Sequence, residues 1–328
     1  MPTDTSVQRP RREHGAVEVR EPLPGPPGPR TRKFPRRTAG SGSSLLLAPW
    51  SGWLVLFYVA PLMLAAIVST WSMDGPNLVP GFTLDNYGAI FRSADGNLGL
   101  LVRTCLLAFL VTIIVALVCF PVAYFIVFRM RSAGAVATTL TLITLPFLVG
   151  SLVRALAWQG VLGVQGVVNE GLQFIGIIDE PVSWMLFSRF AVAVSLAYNA
   201  YPFMLFALVL SLGTIDQRLV AAARDLGAGA YTAVVRVVLP LAAPGLLVGS
   251  VLAFVPAAGS SIEPELVGGS NGRFIANAIT DRFLTAGDWP GAAALTVCFL
   301  VAVAVVCGVL ALLATLLRRG IHGWGRPS

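Results

Sequence analysis

Six long apolar stretches dominate the sequence, and they limit the chain to folds that a membrane can accommodate. They run over residues 46–70, 104–128, 134–157, 190–212, 240–262 and 290–317. A helix needs about 20 apolar residues to cross roughly 30 Å of hydrocarbon, and each stretch reaches that length. Only 12% of the residues are charged, which is about half the share found in an ordinary soluble domain. The sequence therefore predicts an all-α integral membrane protein with six transmembrane helices.

The composition divides the chain into three parts. Residues 1–44 are rich in Pro, Arg, Gly and Ser, and we predict a disordered basic tail because they cannot bury a core. Residues 45–317 form the predicted membrane domain, which contains a cytoplasmic loop at 213–240, and residues 318–328 form a short second tail. The segment 161–179 has apolar residues at helical spacing, but Gly, Asn and Glu interrupt it. It indicates either a short interfacial or re-entrant helix or an ordinary packed loop helix.

The distribution of basic residues indicates how the chain crosses the membrane. With the N-terminus in the cytoplasm, the cytoplasmic segments hold 17 of the 23 Lys and Arg residues. The outer segments then hold the other six, beside ten of the sixteen acidic residues. Basic residues near span ends accumulate on the cytoplasmic side, so we expect both termini to be cytoplasmic. This topology explains the basic excess, and we expect contact with membrane lipid and no nucleic acid partner.

The chain lacks the residues that several other functions require. The two histidines, His14 and His322, lie in the polar tails, which excludes a His-based metal centre in the membrane. No GxxxxGK[ST] phosphate loop occurs, and no catalytic constellation is available, so we expect no catalytic residue, no metal ligand and no cofactor bound by this chain. Ionisable groups are scarce in the spans, because Arg154, Arg189 and Glu263 lie near span edges. That scarcity argues against an ion-coupled carrier.

The loop between the fourth and fifth spans carries the sequence VAAARDLGAGAYTAVVRVVLP at residues 220–240. Its pattern predicts a short helix, a turn in which Gly227 adopts a left-handed conformation at low cost, and a second helix that Pro240 ends. Three consecutive alanines give the first helix a surface small enough for close approach by another protein. A transporter without its own energy source needs such a rigid cytoplasmic element to receive force from a soluble partner.

This loop resembles the EAA loop of the permease subunits of type I ABC importers. That motif runs Glu-Ala-Ala, three residues, Gly, nine residues, an aliphatic residue, any residue and Leu-Pro. The matching positions here are Ala222, Ala223, Gly227, Val237, Leu239 and Pro240. The resemblance implies an ATPase-coupling loop that includes Ala221, Ala222, Ala223, Arg224, Asp225, Gly227, Leu239 and Pro240. The Glu of the motif is Ala221 here, so we expect docking to depend more on shape, Arg224 and Asp225.

Four further stretches resemble the spermidine/putrescine branch of these permeases. They are TLDNYGAIF, VVNEGLQFIGIIDEP, AYNAYPFMLFALVLSLGTID and ELVGGSNGRFIANAITDRFLTAGDWPGAAAL, and with the loop they cover most of residues 45–317. The resemblance implies a bacterial inner membrane location and a second, homologous permease subunit. It also implies an ABC ATPase dimer that uses ATP, and an extracytoplasmic solute-binding protein. This chain would contribute transport and no catalysis.

The candidate solute path lies around the end of the fifth span, where the sequence is PAAGSSIEPELVGG. The polyamine branch reads like PALGEFVIPDLLGG there, so Ser260 replaces its Glu and Glu263 follows about one helical turn later. The predicted path residues are Asn199, Tyr198, Tyr201, Trp158, Gln159, Ser260 and Glu263. Asn199 is favoured because an amide deep in a span needs a partner. Alternatively, Glu263 and Glu265 are solvated loop charges, and the aromatic residues are anchors at the membrane interface.

The sequence as a whole favours the permease subunit of an ABC importer that moves a polyamine-like cation inward by alternating access. Another solute, such as thiamine, ferric ion or an organic anion, fits the same architecture. An ATP-independent secondary carrier is less well supported because the spans contain few ionisable groups. A membrane-embedded enzyme and a scaffold protein are the remaining alternatives, and solute uptake distinguishes the proposed function from a scaffold.

Overall fold

The computed structural model describes residues 52–92, 96–270 and 272–319. The chain divides into two compact units, Met1–Leu54 and Val55–Ser328, and every feature discussed below belongs to the second. The predicted disorder of residues 1–44 lies outside the described residues. The last helix extends to Arg319 and so includes the first two residues of the second predicted tail. The rest of that tail also lies outside the described residues.

The described chain is almost entirely helical, with one short hairpin. The helices before the fifth predicted span are α1 (Ala60–Val68), α2 (Asp85–Arg92), α3 (Asn97–Arg129), α4 (Ala133–Thr144), α5 (Ser151–Leu162), α6 (Val167–Phe174), α7 (Arg189–Gly213) and α8 (Gln217–Asp225). The later ones are α9 (Ala230–Ala233), α10 (Leu239–Leu241), α11 (Ala243–Gly259), α12 (Ile262–Val267), α13 (Ile275–Leu284) and α14 (Trp289–Arg319). Strands β1 (Ser72–Asp74) and β2 (Asn77–Val79) pair antiparallel, and they were not predicted from the sequence.

Within the described residues, four helices are long and apolar enough to cross a membrane, and a bent pair raises that number to five at most. The predicted spans 104–128, 190–212 and 290–317 correspond to the long helices α3, α7 and α14. The fourth such helix, Ser151–Phe174, joins α5 and α6, so it begins inside the third predicted span and includes part of the segment 161–179 that was not predicted to cross the membrane. In the second unit, the first predicted span begins with a π-helical turn at Val55–Val59 and continues as the short apolar helix α1. The all-α membrane fold is therefore confirmed, but six uninterrupted spans are not observed.

Two predicted spans are broken helices. The third, 134–157, consists of α4, a 3-10 turn at Leu145–Leu148 and α5, and the chain is extended at Val149 between them. Pro146 and Gly150 frame this break, and both residues disfavour a continuous helix. The fifth span bends by 67° between Ala230–Leu241 and Ala243–Gly259. The segment 161–179 contains a short helix, α6, as the sequence predicts.

The core lies where α3, α7 and α11 pack against one another, with α14 against α11. Two glycines of α11, Gly245 and Gly249, allow its backbone to approach α7 closely. A Cβ atom at Gly249 would lie 2.7 Å from Met204 Sδ, and one at Gly245 would overlap Ser211. Small residues four positions apart commonly bring membrane helices together in this way. This contact places the end of α11, and the polar residues that follow it, beside Asn199 in the middle of α7.

Candidate functional site

The loop between α7 and α10 forms the helix and glycine turn that the sequence predicts. Asp216 caps α8, since its side chain accepts a hydrogen bond from Arg218 N at 2.9 Å. After α8, Gly227 has φ +86°, and Ala228 N donates to Ala223 O at 3.0 Å. This six-residue closure is the Schellman ending, which requires a left-handed residue at the Gly227 position. The predicted helix and turn are therefore confirmed.

The predicted end of the second helix at Pro240 is wrong. The chain continues from α9 through a π-helical turn at Val234–Val238 into α10, and it breaks only at Ala242. A proline normally disrupts a helix because its ring collides with the carbonyl oxygen four residues earlier. The wider π turn, in which Leu239 N bonds back to Val234 O, accommodates Pro240 instead.

We call residues 213–240 the coupling segment. Its inner face is anchored in the core by the buried side chains of Val220, Ala233, Val238 and Pro240. Its outer face exposes Ala221, Ala222, Arg224, Asp225 and Gly227, while Ala223 and Leu239 are half-buried. Two apolar side chains are also strongly exposed there, namely Leu226 at 90% and Tyr231 at 80%. A compact surface of small and apolar residues on a rigid base is suited to docking another protein.

A second feature, the polar cavity, lies between α5, α7, α11 and α12 and has a volume of about 370 Å³. Its polar lining consists of Ser151, Arg154, Asn199, Ser260, Ser261 and Glu263. Phe147, Phe203 and aliphatic residues of α11 complete the wall. An apolar cavity with a few convergent polar groups is the usual form of a small-molecule site.

Three polar side chains of this cavity form a continuous relay. Arg154 Nε donates to Asn199 Oδ1 at 2.8 Å, and Asn199 Nδ2 donates to Glu263 Oε1 at 2.5 Å. Ser260 Oγ donates to the other carboxylate oxygen of Glu263. The amide thus separates the guanidinium from the carboxylate and bonds to both. The relay joins α5, α7 and α12, which are far apart in sequence.

Arg154 is held by the break in the third predicted span. Its Nη1 donates to Phe147 O at 3.0 Å and also to Val149 O, which are carbonyl groups that a continuous helix would have used. Its guanidinium carbon lies 4.6 Å from the centre of the Phe147 ring, a cation–π contact. Irregular backbone at membrane depth needs such internal partners. Arg154 was predicted to lie near a span edge and was not among the predicted path residues.

Glu263 is 4% exposed, so the interpretation of this residue as a solvated loop charge is wrong. It follows the end of α11 at Gly259, outside the bent helix pair, and lies in the first turn of α12. Burial raises the pKa of its carboxyl group, while the bond from its own backbone N–H and the charge of Arg154 oppose that rise. Glu265 is exposed, as a solvated loop charge would be.

The other predicted path residues form a neighbouring layer that does not line the cavity. The rings of Trp158 and Tyr198 lie 5.7 Å apart, and those of Tyr198 and Tyr201 lie 5.8 Å apart. Gln159 Nε2 donates to Leu266 O at 2.6 Å, and Tyr201 Oη donates to Ile143 O at 2.5 Å. These contacts fasten α4, α5, α7 and α12 together around the relay. Among the described residues, no group of three His, Cys, Asp or Glu side chains comes together to hold a metal ion.

Comparison with known proteins relates the chain to transport proteins. The family described as "Binding-protein-dependent transport system inner membrane component" matches residues 105–323. The spermidine/putrescine transport system permease protein PotB of Escherichia coli K12 is 32% identical over 247 residues, covering 75% of this chain and 88% of PotB. PotB of Haemophilus influenzae is 31% identical over 271 residues, covering 82% and 93%.

The fold is also similar to that of a solved structure. A bacterial ABC transporter involved in the import of the acidic polysaccharide alginate contains a chain that matches with a TM-score of 0.60 and 20% identity. The match covers 85% of this chain and 95% of that one. Together, the matched family, the PotB relatives and this fold show that the chain belongs to the family of inner membrane components of binding-protein-dependent transport systems, the permease subunits of ABC transporters.

Proposed function

We propose that this subunit carries a polyamine-like cation inward through the polar cavity, driven by a separate ATPase. The observation that supports this solute is Glu263, a buried carboxylate whose two oxygens both face hydrogen-bond donors of the cavity wall. An ammonium group supplies the same kind of donor with a full charge, and charge-assisted hydrogen bonds are the stronger ones. The PotB relatives named for spermidine and putrescine transport support the same solute class.

In this proposal, Asn199 occupies the position at Glu263 that an ammonium group of the solute takes, and Arg154 supplies a compensating positive charge nearby. Asn199 links the two, so the carboxylate is compensated from within the protein when no solute cation is bound. An arriving ammonium group replaces the Asn199 donor at Glu263, and Arg154 stays on the Phe147 and Val149 carbonyls. Glu263 is thereby compensated in both situations, which avoids the large cost of an unpaired buried charge.

The coupling segment connects this subunit to its energy source, the ATPase. The exposed surface of α8 docks into a groove of the ATPase, and the buried anchors Val220 and Val238 transmit its motion to α7 and α11. ATP binding by the ATPase dimer switches this subunit and a second permease subunit between inward-open and outward-open forms. An extracytoplasmic binding protein delivers the solute at the opposite end, and both termini lie in the cytoplasm. The chain itself binds no cofactor and performs no catalysis.

The experiment is reconstitution of the complex. The tagged chain is purified with the ATPase, second permease and binding protein that accompany it, and uptake of labelled putrescine and spermidine is measured in proteoliposomes with internal ATP. ATP-dependent uptake that Glu263→Gln reduces about tenfold supports the proposal, since one charge-assisted bond is lost. A chain that purifies alone and transports without ATP contradicts it.

Arg154 makes an organic anion the second candidate solute. A buried guanidinium beside a hydrogen-bonding amide is also a receptor for a carboxylate. In that case, Glu263 would be a structural partner of Asn199, and Glu263→Gln would leave uptake intact while Arg154→Gln would abolish it. The same proteoliposomes, assayed with a mixture of labelled organic anions in place of polyamines, decide between the two.

A further inference from the structure

Three arginines line one cavity at the end of the helix bundle opposite the coupling segment. The cavity has a volume of about 320 Å³ and lies between α3, the start of α7 and the chain before α13. Arg103, Arg189 and Arg273 all contribute to its lining, and the described residues of that lining include no Asp or Glu. In the predicted orientation, the outer segments hold six basic and ten acidic residues, so half of the outer basic residues meet at this one place.

Buried side chains and a hydrogen bond between α3 and α13 fix the base of this arginine pocket. Thr104 is 1% exposed, and its Oγ1 accepts a hydrogen bond from Ile275 N at 3.0 Å. Phe274 is buried beside it. These contacts fix the chain that carries Arg273 against α3. Arg273 also pairs with Asp281, and Arg103 and Arg189 bring two further guanidinium groups to the same lining.

The arginine pocket continues into an apolar wall on α3. Leu106, Leu107 and Leu110 also line it, and Leu106 and Leu110 are exposed on the outside of the bundle. Leu110 lies seven positions after Arg103 on the same helix, a rise of about 10 Å along α3. Since α3 crosses the membrane, the arginines lie at its surface and the leucines face its hydrocarbon. A charged head above an apolar wall is the form of a phospholipid site.

We propose that the arginine pocket binds an anionic phospholipid, with the phosphate at the arginines and an acyl chain along Leu106 and Leu110. The proposal rests on the membrane fold and does not depend on which solute is transported. Arginine pairs with phosphate through two parallel hydrogen bonds, so a phosphate group suits this lining. A soluble anion would leave the leucine wall uncovered, and an acidic protein surface would bring no group to fill it. The bound lipid would join α3, α7 and the chain before α13 at the outer end of the bundle.

The test is native mass spectrometry of the full chain, purified with its accompanying subunits, stripped of lipid and titrated with phosphatidylglycerol. Phosphatidylcholine provides the zwitterionic comparison, and soluble glycerol phosphate tests for a free-anion site. We expect phosphatidylglycerol to bind about tenfold more tightly than phosphatidylcholine, the value of one or two charge-assisted bonds, and glycerol phosphate not to compete. Arg103→Gln should remove most of this preference, while Arg103→Lys should keep part of it.

The matched control is Arg92→Gln, which removes the same charge from an arginine that does not line the pocket. It should bind phosphatidylglycerol as the unmodified chain does. Equal affinity for the two lipids, an unchanged preference in Arg103→Gln, or effective competition by glycerol phosphate would each overturn the proposal. The proposal would also be overturned if Arg103→Gln lost association with the binding protein but kept the lipid preference. That result would assign the arginines to a protein interface. Comparable thermal stability of Arg103→Gln and Arg92→Gln shows that any difference between them comes from lipid binding.

Discussion

The coupling segment and the polar cavity are built on opposite principles. The coupling segment obtains its shape from backbone geometry: a capped helix, a positive φ at Gly227 and a π turn, all within residues 216–239. The polar cavity obtains its shape from side chains, because Arg154, Asn199 and Glu263 lie 45 and 64 positions apart along the chain and meet through hydrogen bonds. The first region should therefore be sensitive to backbone changes, and the second to the loss of single polar atoms.

The largest effect should come from Arg154→Met, which removes the partner of three oxygen atoms in the cavity wall. The carbonyls of Phe147 and Val149 and the amide oxygen of Asn199 lose a donor, and Glu263 loses a compensating charge. We expect a loss of about 3–5 kcal/mol in stability, typical of breaking a buried charged network. Thermal unfolding in detergent measures it. Arg154→Lys retains the charge and should lose less, so equal losses in both variants would contradict the importance of the charge.

Glu263→Gln should separate transport from stability. Burial raises the pKa of this carboxyl group, so the ionised form is disfavoured in the fold and a neutral amide should leave stability equal or slightly higher. Uptake of a cation should nevertheless fall about tenfold, because the charge that recognises an ammonium group is lost. Uptake assays and thermal unfolding of the same preparation test both expectations. If Glu263→Gln lost stability and uptake together, Glu263 would have a structural role and no separate role in solute recognition.

Gly227→Val should reveal the backbone dependence of the coupling segment. A β-branched residue at φ +86° is strained by about 1–3 kcal/mol, although no atom lies within 4 Å of the position that its Cβ would take. We expect ATP hydrolysis to continue while uptake falls. Gly229→Val is the matched control, since Gly229 has equally open space and φ −61°. Normal uptake in Gly227→Val, or equal losses in both variants, would disprove that this turn transmits motion from the ATPase to the membrane helices.

The smallest predicted effect is a dependence of uptake on pH, caused by the carboxyl group of Glu263 in the polar cavity. Because burial raises the pKa of Glu263, its ionised fraction should decline at a higher pH than that of an exposed carboxyl group. Cation uptake should therefore decrease as the pH falls through that raised pKa, and recover as the pH rises. Uptake by Glu263→Gln should lack this dependence. The measurement is uptake against external pH in proteoliposomes with fixed internal pH and ATP, and a pH profile shared by both proteins would assign the titration elsewhere.

The two regions also differ in how far their sequences reveal them. The coupling segment was predicted in outline because its caps and its glycine act within a few residues, which is the range that sequence patterns describe. Of the side chains that line the polar cavity, Asn199, Ser260 and Glu263 were among the predicted path residues, but Arg154 was not. Its position suggested a span edge, and only the break at Val149 brings its guanidinium into the cavity. A pattern of Pro146 and Gly150 inside an apolar stretch was the available signal for that break.

The sequence by itself determined the membrane class, the positions of the long apolar helices and the helix–glycine turn of the coupling segment. These depend on apolar length and local backbone preference, which are properties of neighbouring residues. Only the tertiary structure decided that two predicted spans break or bend, that Glu263 is buried, and that three arginines share one pocket. These features depend on the close approach of α7 and α11 and on hydrogen bonds between distant helices. Such contacts form when the bundle assembles, and no single stretch of sequence contains them.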